Sequence, residues 1–229
     1  MTCEEDAFER LAATKASQPC GLMGPERTVW TAWAMVVFLT AALTGCGAAR
    51  PSKYYQLTVP PSQGVEQGAD PVPATLLFAS FSASHLYRED RIVYSSNREQ
   101  MGTYEYHRWA EPPTEMIQEV LVRELRDSGR YKAVYPGRSN ATGDFLIRGR
   151  LYDFKEVSGS TMVAKVTFEL EMRDLKSGGT VWTHYYTHDE PVSGKDVPAV
   201  VSALNRNVQI AVKEVLASLD RYFAEHPFK

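Results

Sequence analysis

The stretch from residue 162 to 175 constrains the architecture more than any other. Met162, Ala164, Val166, Phe168, Leu170 and Met172 fall on one side of it, and Lys165, Thr167, Glu169, Glu171 and Arg173 on the other. A period of two belongs to an extended strand. One apolar side and one polar side mean that one face is covered and the other wet, which is how antiparallel sheets are built. Ser158-Gly159-Ser160 turns the chain into this strand, and Lys176-Ser177-Gly178-Gly179 turns it out. The flanking stretches 144–157 and 180–188 then become its neighbours, and three long strands in a row make a meander.

Something apolar must cover that sheet. Val197, Val201, Leu204, Val208, Ala211, Val215, Leu219 and Tyr222 recur at spacings of three or four. This predicts a helix over about 196–223, with Asp196 as N-cap and Pro198 in its first turn. Such a helix is roughly 40 Å long. A second helix is expected over 114–128. Pro112 and Pro113 open it, Ile117, Val120, Leu121 and Leu125 form its apolar stripe, and Gly129 is placed to end it. Upstream, 53–59 reads as a first strand, and 60–73, with four prolines, as a loop. The apolar run 74–81 suits a central strand buried on both faces. Residues 82–90 read as a loop or short helical turn, 91–95 and 102–109 as a hairpin around Asn97, and 131–135 as a short strand. The expected fold class is α+β: a mostly antiparallel sheet with a C-terminal meander, packed by two main helices.

The N-terminal part follows a different logic. Residues 29–43 are uncharged and apolar or small, Arg27 stands just before them, and Leu43-Thr44-Gly45-Cys46 follows. The run has signal-segment length and is short for an unaided membrane span. The tetrapeptide resembles the bacterial lipobox. Small side chains flank the bond to be cut, and the cysteine thiol accepts diacylglycerol, with an N-acyl group added afterwards. The expected organisation is a signal segment over 1–45, a lipidated tether over 46–52 and a single periplasmic domain over 53–229. The acidic opening, Met1 to Arg10, is unlike a positive n-region, so a translation start at Met23 is expected, with 1–22 outside the natural precursor. Gly47, rather than aspartate, favours the outer membrane.

From Cys46 onward the chain carries 22 basic and 23 acidic residues, a net charge of −1, which gives no reason to expect a nucleic-acid partner. Cys3 and Cys20 precede the expected cleavage, leaving Cys46 alone and no internal disulfide.

No enzyme signature is found. His184 and His188 would make a metal pair on a helix, but in a strand four residues span about 13 Å. Ser193-Gly194-Lys195 lacks the rest of a phosphate loop. Asp153 and Glu156 fall on opposite faces of a strand, which prevents them from acting as a pair. No catalytic residue, metal ligand or cofactor is expected apart from the lipid on Cys46. The segment His107-Arg108-Trp109-Ala110-Glu111-Pro112-Pro113 is the best candidate for partner binding, carried by Arg108, Trp109 and Glu111. Trp109 has two readings, core plug or exposed anchor. Tyr54 and Tyr55 have the same two, and alternation turns one inward and one outward.

The chain from Cys46 resembles the ABC-type transport auxiliary lipoprotein family, which includes the lipoproteins of MCE-type (mammalian cell entry) lipid transporters and the paraquat-inducible lipoprotein. The lipobox at Cys46, Tyr54-Tyr55-Gln56-Leu57, the apolar strand near Leu76 and Arg91-Ile92-Val93-Tyr94 carry the resemblance. So do Arg108 to Pro113 leading into a helix, and the long C-terminal helix. Pro113 departs from the family's usual leucine. The resemblance implies a non-enzymatic adaptor at the outer membrane. Its partners would be an MCE-family substrate-binding protein, an inner-membrane permease and an ATPase. The residues themselves leave two rivals open: a lipid shuttle with its own cavity between the long helix and the sheet, and a regulatory lipoprotein of an envelope enzyme. Homo-oligomerisation also stays open.

Overall fold

The structure is a computed structural model that describes residues 30, 33, 35, 50–60, 71–96, 99–137 and 140–228. The chain divides into two units, Met1–Ala49 and Arg50–Lys229. In the first unit, Trp30, Trp33 and Met35 are helical and exposed. The lipobox, Cys46, the Asn97 turn and most of the proline-rich loop lie outside the described residues.

The second unit is α+β. Its strands are β1 (Lys53–Tyr55), β2 (Val72–Phe78), β3 (Ser82–Ala83), β4 (Arg91–Ser95), β5 (Met101–Trp109), β6 (Tyr131–Pro136), β7 (Phe145–Val157), β8 (Val163–Asp174) and β9 (Thr180–Pro191). Its helices are α1 (Pro113–Asp127) and α2 (Val197–Glu225). The meander is as expected: β7–β8 and β8–β9 are long antiparallel ladders. The other pairings make the sheet mixed. β4–β5 is antiparallel, whereas β1–β5, β2–β6, β2–β7, β3–β7 and β4–β7 are parallel.

β7 is the spine of this arrangement. One of its edges runs the length of β8. The opposite edge is shared by three short strands: β2 meets Phe145 to Ile147, β3 meets Arg150 and Leu151, and β4 meets Lys155 to Val157. A bulge at Tyr152 lets Leu151 and Phe154 both point into the core. The Phe81 ring fills the space where a side chain at residue 149 would begin, so glycine there allows the approach.

Several boundaries differ from expectation for identifiable reasons. The first strand stops at Tyr55. Beyond it Leu57 and Val59 are buried, but the backbone bonds to helix side chains: Thr58 N–H donates to Asn205 Oδ1 at 3.0 Å, and Arg123 Nη2 donates to the Val59 carbonyl at 2.7 Å. The run 74–81 leaves the strand after Phe78, and within 82–90 lie both β3 and a 3-10 turn, His85–Tyr87. Thr167, on the polar side of β8, is 3% exposed and shares a 3.0 Å hydrogen bond with Thr187 Oγ1.

Helix α2 packs on β8 and β9, α1 packs on β6, and the two helices touch. Asp196 caps α2 by accepting from Ala199 N–H at 3.0 Å. The buried face of α2 is wider than one stripe. It includes Val200, Ala203, Val212, Leu216 and Phe223, and Tyr222 is only half-buried. Inside this face Asn207, fully buried, donates to the Ala164 carbonyl at 2.8 Å and the His188 carbonyl at 2.9 Å, while Tyr186 Oη donates to its Oδ1 at 2.7 Å. Trp182 Nε1 reaches Ser218 Oγ at 3.1 Å. These bonds fix the rotation of α2 on the sheet, which apolar packing alone specifies weakly.

The corner between β5 and α1: a candidate docking site

The fold brings the five sequence-predicted partner-binding residues together at one corner, where β5 ends and α1 begins; Cys46 lies outside the described residues. The pairing of β1 with β5 places Lys53 opposite His107, Tyr54 opposite Arg108 and Tyr55 opposite Trp109. Ala110 N–H closes the ladder on the Tyr55 carbonyl at 2.7 Å. Among the described residues β1 is the last strand on this wing, with no strand paired to its outer edge. Tandem prolines end the strand and open the helix: Pro112 stands before the first turn and Pro113 within it, where a missing N–H does no harm.

Tyr54 and Tyr55 point to opposite faces. Tyr54 is 64% exposed. Tyr55 is half-buried, stacks on His107 with ring centroids 5.7 Å apart, and shares a 2.8 Å hydrogen bond between its Oη and His107 Nδ1. Burial raises the Tyr55 phenol above its usual range, and the Asp196 carboxylate adds to this. The hydroxyl stays neutral and can both donate and accept.

Trp109 is 1% exposed and packs against Phe154 at 5.4 Å. Of its two readings the structure has the core plug, and its ring is not available as a surface anchor. Arg108 is partly exposed and pairs with Asp90 through Nη1 and Oδ1 at 2.8 Å. The carbonyl of the same Asp90 accepts from Trp109 N–H at 2.6 Å. Asp90 thus holds two consecutive residues of the segment. Sequence reasoning missed it, although its place one residue ahead of Arg91, which pairs with Arg108 across the hairpin, was the available signal.

Glu111 is exposed and stands between two grooves flanking α1. The larger, about 490 Å³, runs between α1 and the segment around Phe81 and Arg88; the smaller, about 280 Å³, lies between α1 and Leu57. Glu115, Glu119 and Val122, which line the larger groove, were not singled out from sequence.

Elsewhere, His184 and His188 both sit in β9. His184 stacks on Trp182, and His188 lies 3.3 Å from Glu190. Among the described residues no group of three or more His, Cys, Asp or Glu is placed to hold a metal ion, and no helix is long and apolar enough to cross a membrane. Two carboxylates are buried among the described residues: Glu124 pairs with Arg123 at 3.1 Å, and Glu156 accepts from Tyr104 Oη and Ser158 Oγ, each at 2.6 Å. The Tyr104 phenol is pushed above its usual range by burial and by that bond.

Among solved structures, protein XCC0632 from Xanthomonas campestris is 22% identical, with a TM-score of 0.67 over 76% of this chain and 98% of that one. An uncharacterised protein is 12% identical, with a TM-score of 0.60 over 74% of this chain and 99% of that one. At these identities the likeness is one of fold. No curated protein matches the chain. The profile of the ABC-type transport auxiliary lipoprotein component family matches residues 55–215, from the inward tyrosine of β1 to the last third of α2. The chain belongs to that family of cell-envelope lipoproteins associated with ABC transport systems.

Proposed function

We propose that this chain is a non-enzymatic docking adaptor of an MCE-type ABC system that moves lipid or another hydrophobic molecule. In this reading acyl groups on Cys46 hold it to the outer membrane, and its body faces the periplasm as one domain over 53–229. Its partners are an MCE-family substrate-binding protein and, through it, an inner-membrane permease and ATPase. Tyr54, Arg108 and Glu111 form the docking surface, while Tyr55 and Trp109 hold that surface in shape from below.

One observation carries the proposal. The first strand after the tether, β1, pairs in register with the segment that resembles the family most specifically. A seven-residue connection from Cys46 to Lys53 reaches at most about 25 Å. A lipid on Cys46 would keep this corner within that distance of the bilayer and raise its effective concentration toward anything arriving there.

The shuttle reading finds less support. It needs a cavity between α2 and the sheet, but Ala203, Leu204, Val215 and Leu219 on the helix and Ala164, Val166, Leu170 and Met172 on β8 are each 0% exposed. These side chains line no space that admits even water.

The test is a comparison of wild type with Cys46→Ser in cells fed an alkyne fatty acid. Wild type should take the label, sediment with outer-membrane vesicles and co-purify with an MCE protein in gentle detergent. Labelled, membrane-bound Cys46→Ser, or wild type purified repeatedly without any component of an ABC system, would overturn the proposal.

A further inference from the structure

The larger groove has a composition that specifies what it can hold. Phe81 and Val122, 7% and 6% exposed, form an apolar floor between α1 and the chain around β3. Along the helix side stand Glu115 and Glu119, with Glu111 just ahead of the helix. Within α1 the four-residue spacing of Glu115 and Glu119 is about 6 Å and keeps them on one face. All three are exposed, and none has an ion-pair partner among the described residues. Two cations also line the groove. Arg126 lies at the far end of α1 with its Nε held by the Val134 carbonyl at 2.7 Å, and Arg88 follows the 3-10 turn. Three carboxylates against two guanidinium groups leave the lining net negative, with Glu115 and Glu119 adjacent along α1.

An apolar floor beside unpaired carboxylates is complementary to one kind of occupant. We infer that this groove takes a basic amphipathic segment of a partner protein, presenting lysine or arginine at one-turn spacing with apolar side chains between them. The charge disfavours an anionic membrane surface, which the same row of carboxylates would repel. It equally disfavours this chain's own 61–70 segment, whose charged residues are Glu66 and Asp70. The inference rests on the adaptor reading in taking the occupant to be a protein, and goes beyond it in stating where the occupant binds and its chemistry.

The experiment has two arms on the full-length lipidated protein. In the first, a photo-crosslinking amino acid replaces Gln118 in the groove or Tyr54 at the open edge, and adducts formed in intact cells are mapped to the peptide. A basic amphipathic segment captured from position 118 supports the inference. An acidic segment or a second copy of this chain captured there overturns it. Capture from position 54 but not from 118 overturns it while leaving the adaptor reading standing; capture of no ABC-system component from either position overturns both. In the second arm, the probe is a fluorescent helical peptide with lysines at i, i+4 and i+8 and leucines between them. It should bind wild type at least tenfold more tightly than the Glu111→Gln/Glu115→Gln/Glu119→Gln variant, and the preference should shrink with added salt. These side chains are exposed, so the variant should keep its fold. Equal affinity for the two proteins, or equal binding of a glutamate-for-lysine peptide, refutes the inference.

Discussion

Truncating Asn207 to alanine tests whether the bonds between α2 and the meander, and not apolar burial alone, seat the helix. The substitution removes both donors to the Ala164 and His188 carbonyls, at 2.8 and 2.9 Å, and the Oδ1 acceptor of Tyr186. Each carbonyl left without this donor costs about 1 kcal/mol. The tyrosine loses less, because its hydroxyl still reaches the Asn207 carbonyl at 3.0 Å. The space left by the amide adds about 1 kcal/mol. The total is about 3 kcal/mol, or a fall in Tm of roughly 6–12 °C for a domain of this size. Urea unfolding of the unit Arg50–Lys229, followed by the fluorescence of Trp109 and Trp182, measures it. Tyr186→Phe should lose about 1 kcal/mol, and the double variant should lose less than the two together, because they share a bond. Exposed Ser202→Ala should stay within about 0.5 kcal/mol of wild type. A loss below about 1 kcal/mol for Asn207→Ala would show that packing seats the helix without the network.

Trp109→Ala should lose about 4 kcal/mol, seen as a lower urea midpoint, because it empties a fully buried site against Phe154. Gly149→Ala should cost about 2 kcal/mol by the same assay, since the Phe81 ring must move, and Phe81→Leu in the same chain should recover part of the loss. Burial lowers the His184 pKa below its usual 6.5, opposed in part by Glu214. The unfolded chain therefore takes up a proton that the folded chain resists: stability is full above about pH 6.5 and falls as pH drops toward the depressed value. His184→Gln should flatten the urea midpoint between pH 7 and 5.5, and an unchanged slope would remove His184 as its cause.

What could be read in the sequence was faces, and what could not was partners. The side-chain alternation of β8 shows which residues are covered, because its two sides differ chemically at nearly every position. Thr167 escapes this reading because its burial depends on Thr187, a cross-strand neighbour. The spacing of α2 gave its length but not its broad buried face, since Asn207 looks polar until its three partners are in place. Tyr54 and Tyr55 could be assigned to opposite faces, yet nothing local says that they pair in parallel with a strand some fifty residues later. The same blindness applies to β2, β3 and β4, which share one edge of β7 in succession. Parallel pairings join residues far apart in sequence and leave no periodic trace. The candidate site was partly visible, through Arg108, Trp109 and Glu111. Asp90 could have been found from its place beside Arg91 in the expected hairpin, whereas the groove residues became visible only once α1 was folded beside the segment around Phe81.

Charge compensation also distinguishes the surfaces on which a partner could act. The outer face of the meander is populated by charges, but they are matched across the ladders. Arg148 lies 3.9 Å from Glu171, Lys165 lies 3.6 Å from Asp189, and Tyr152 donates to Glu169 at 2.9 Å. Exposed pairs of this kind add little stability, but they leave that face with its opposite charges close together. A partner there would have to break those contacts before making its own. At the β5–α1 corner, by contrast, Arg108 is held by Asp90, while Glu111, Glu115 and Glu119 have no ion-pair partner among the described residues and stand over apolar side chains. In the proposed reading a basic segment there meets three carboxylates without an ion-pair partner among the described residues, beside Arg88 and Arg126 of the same groove.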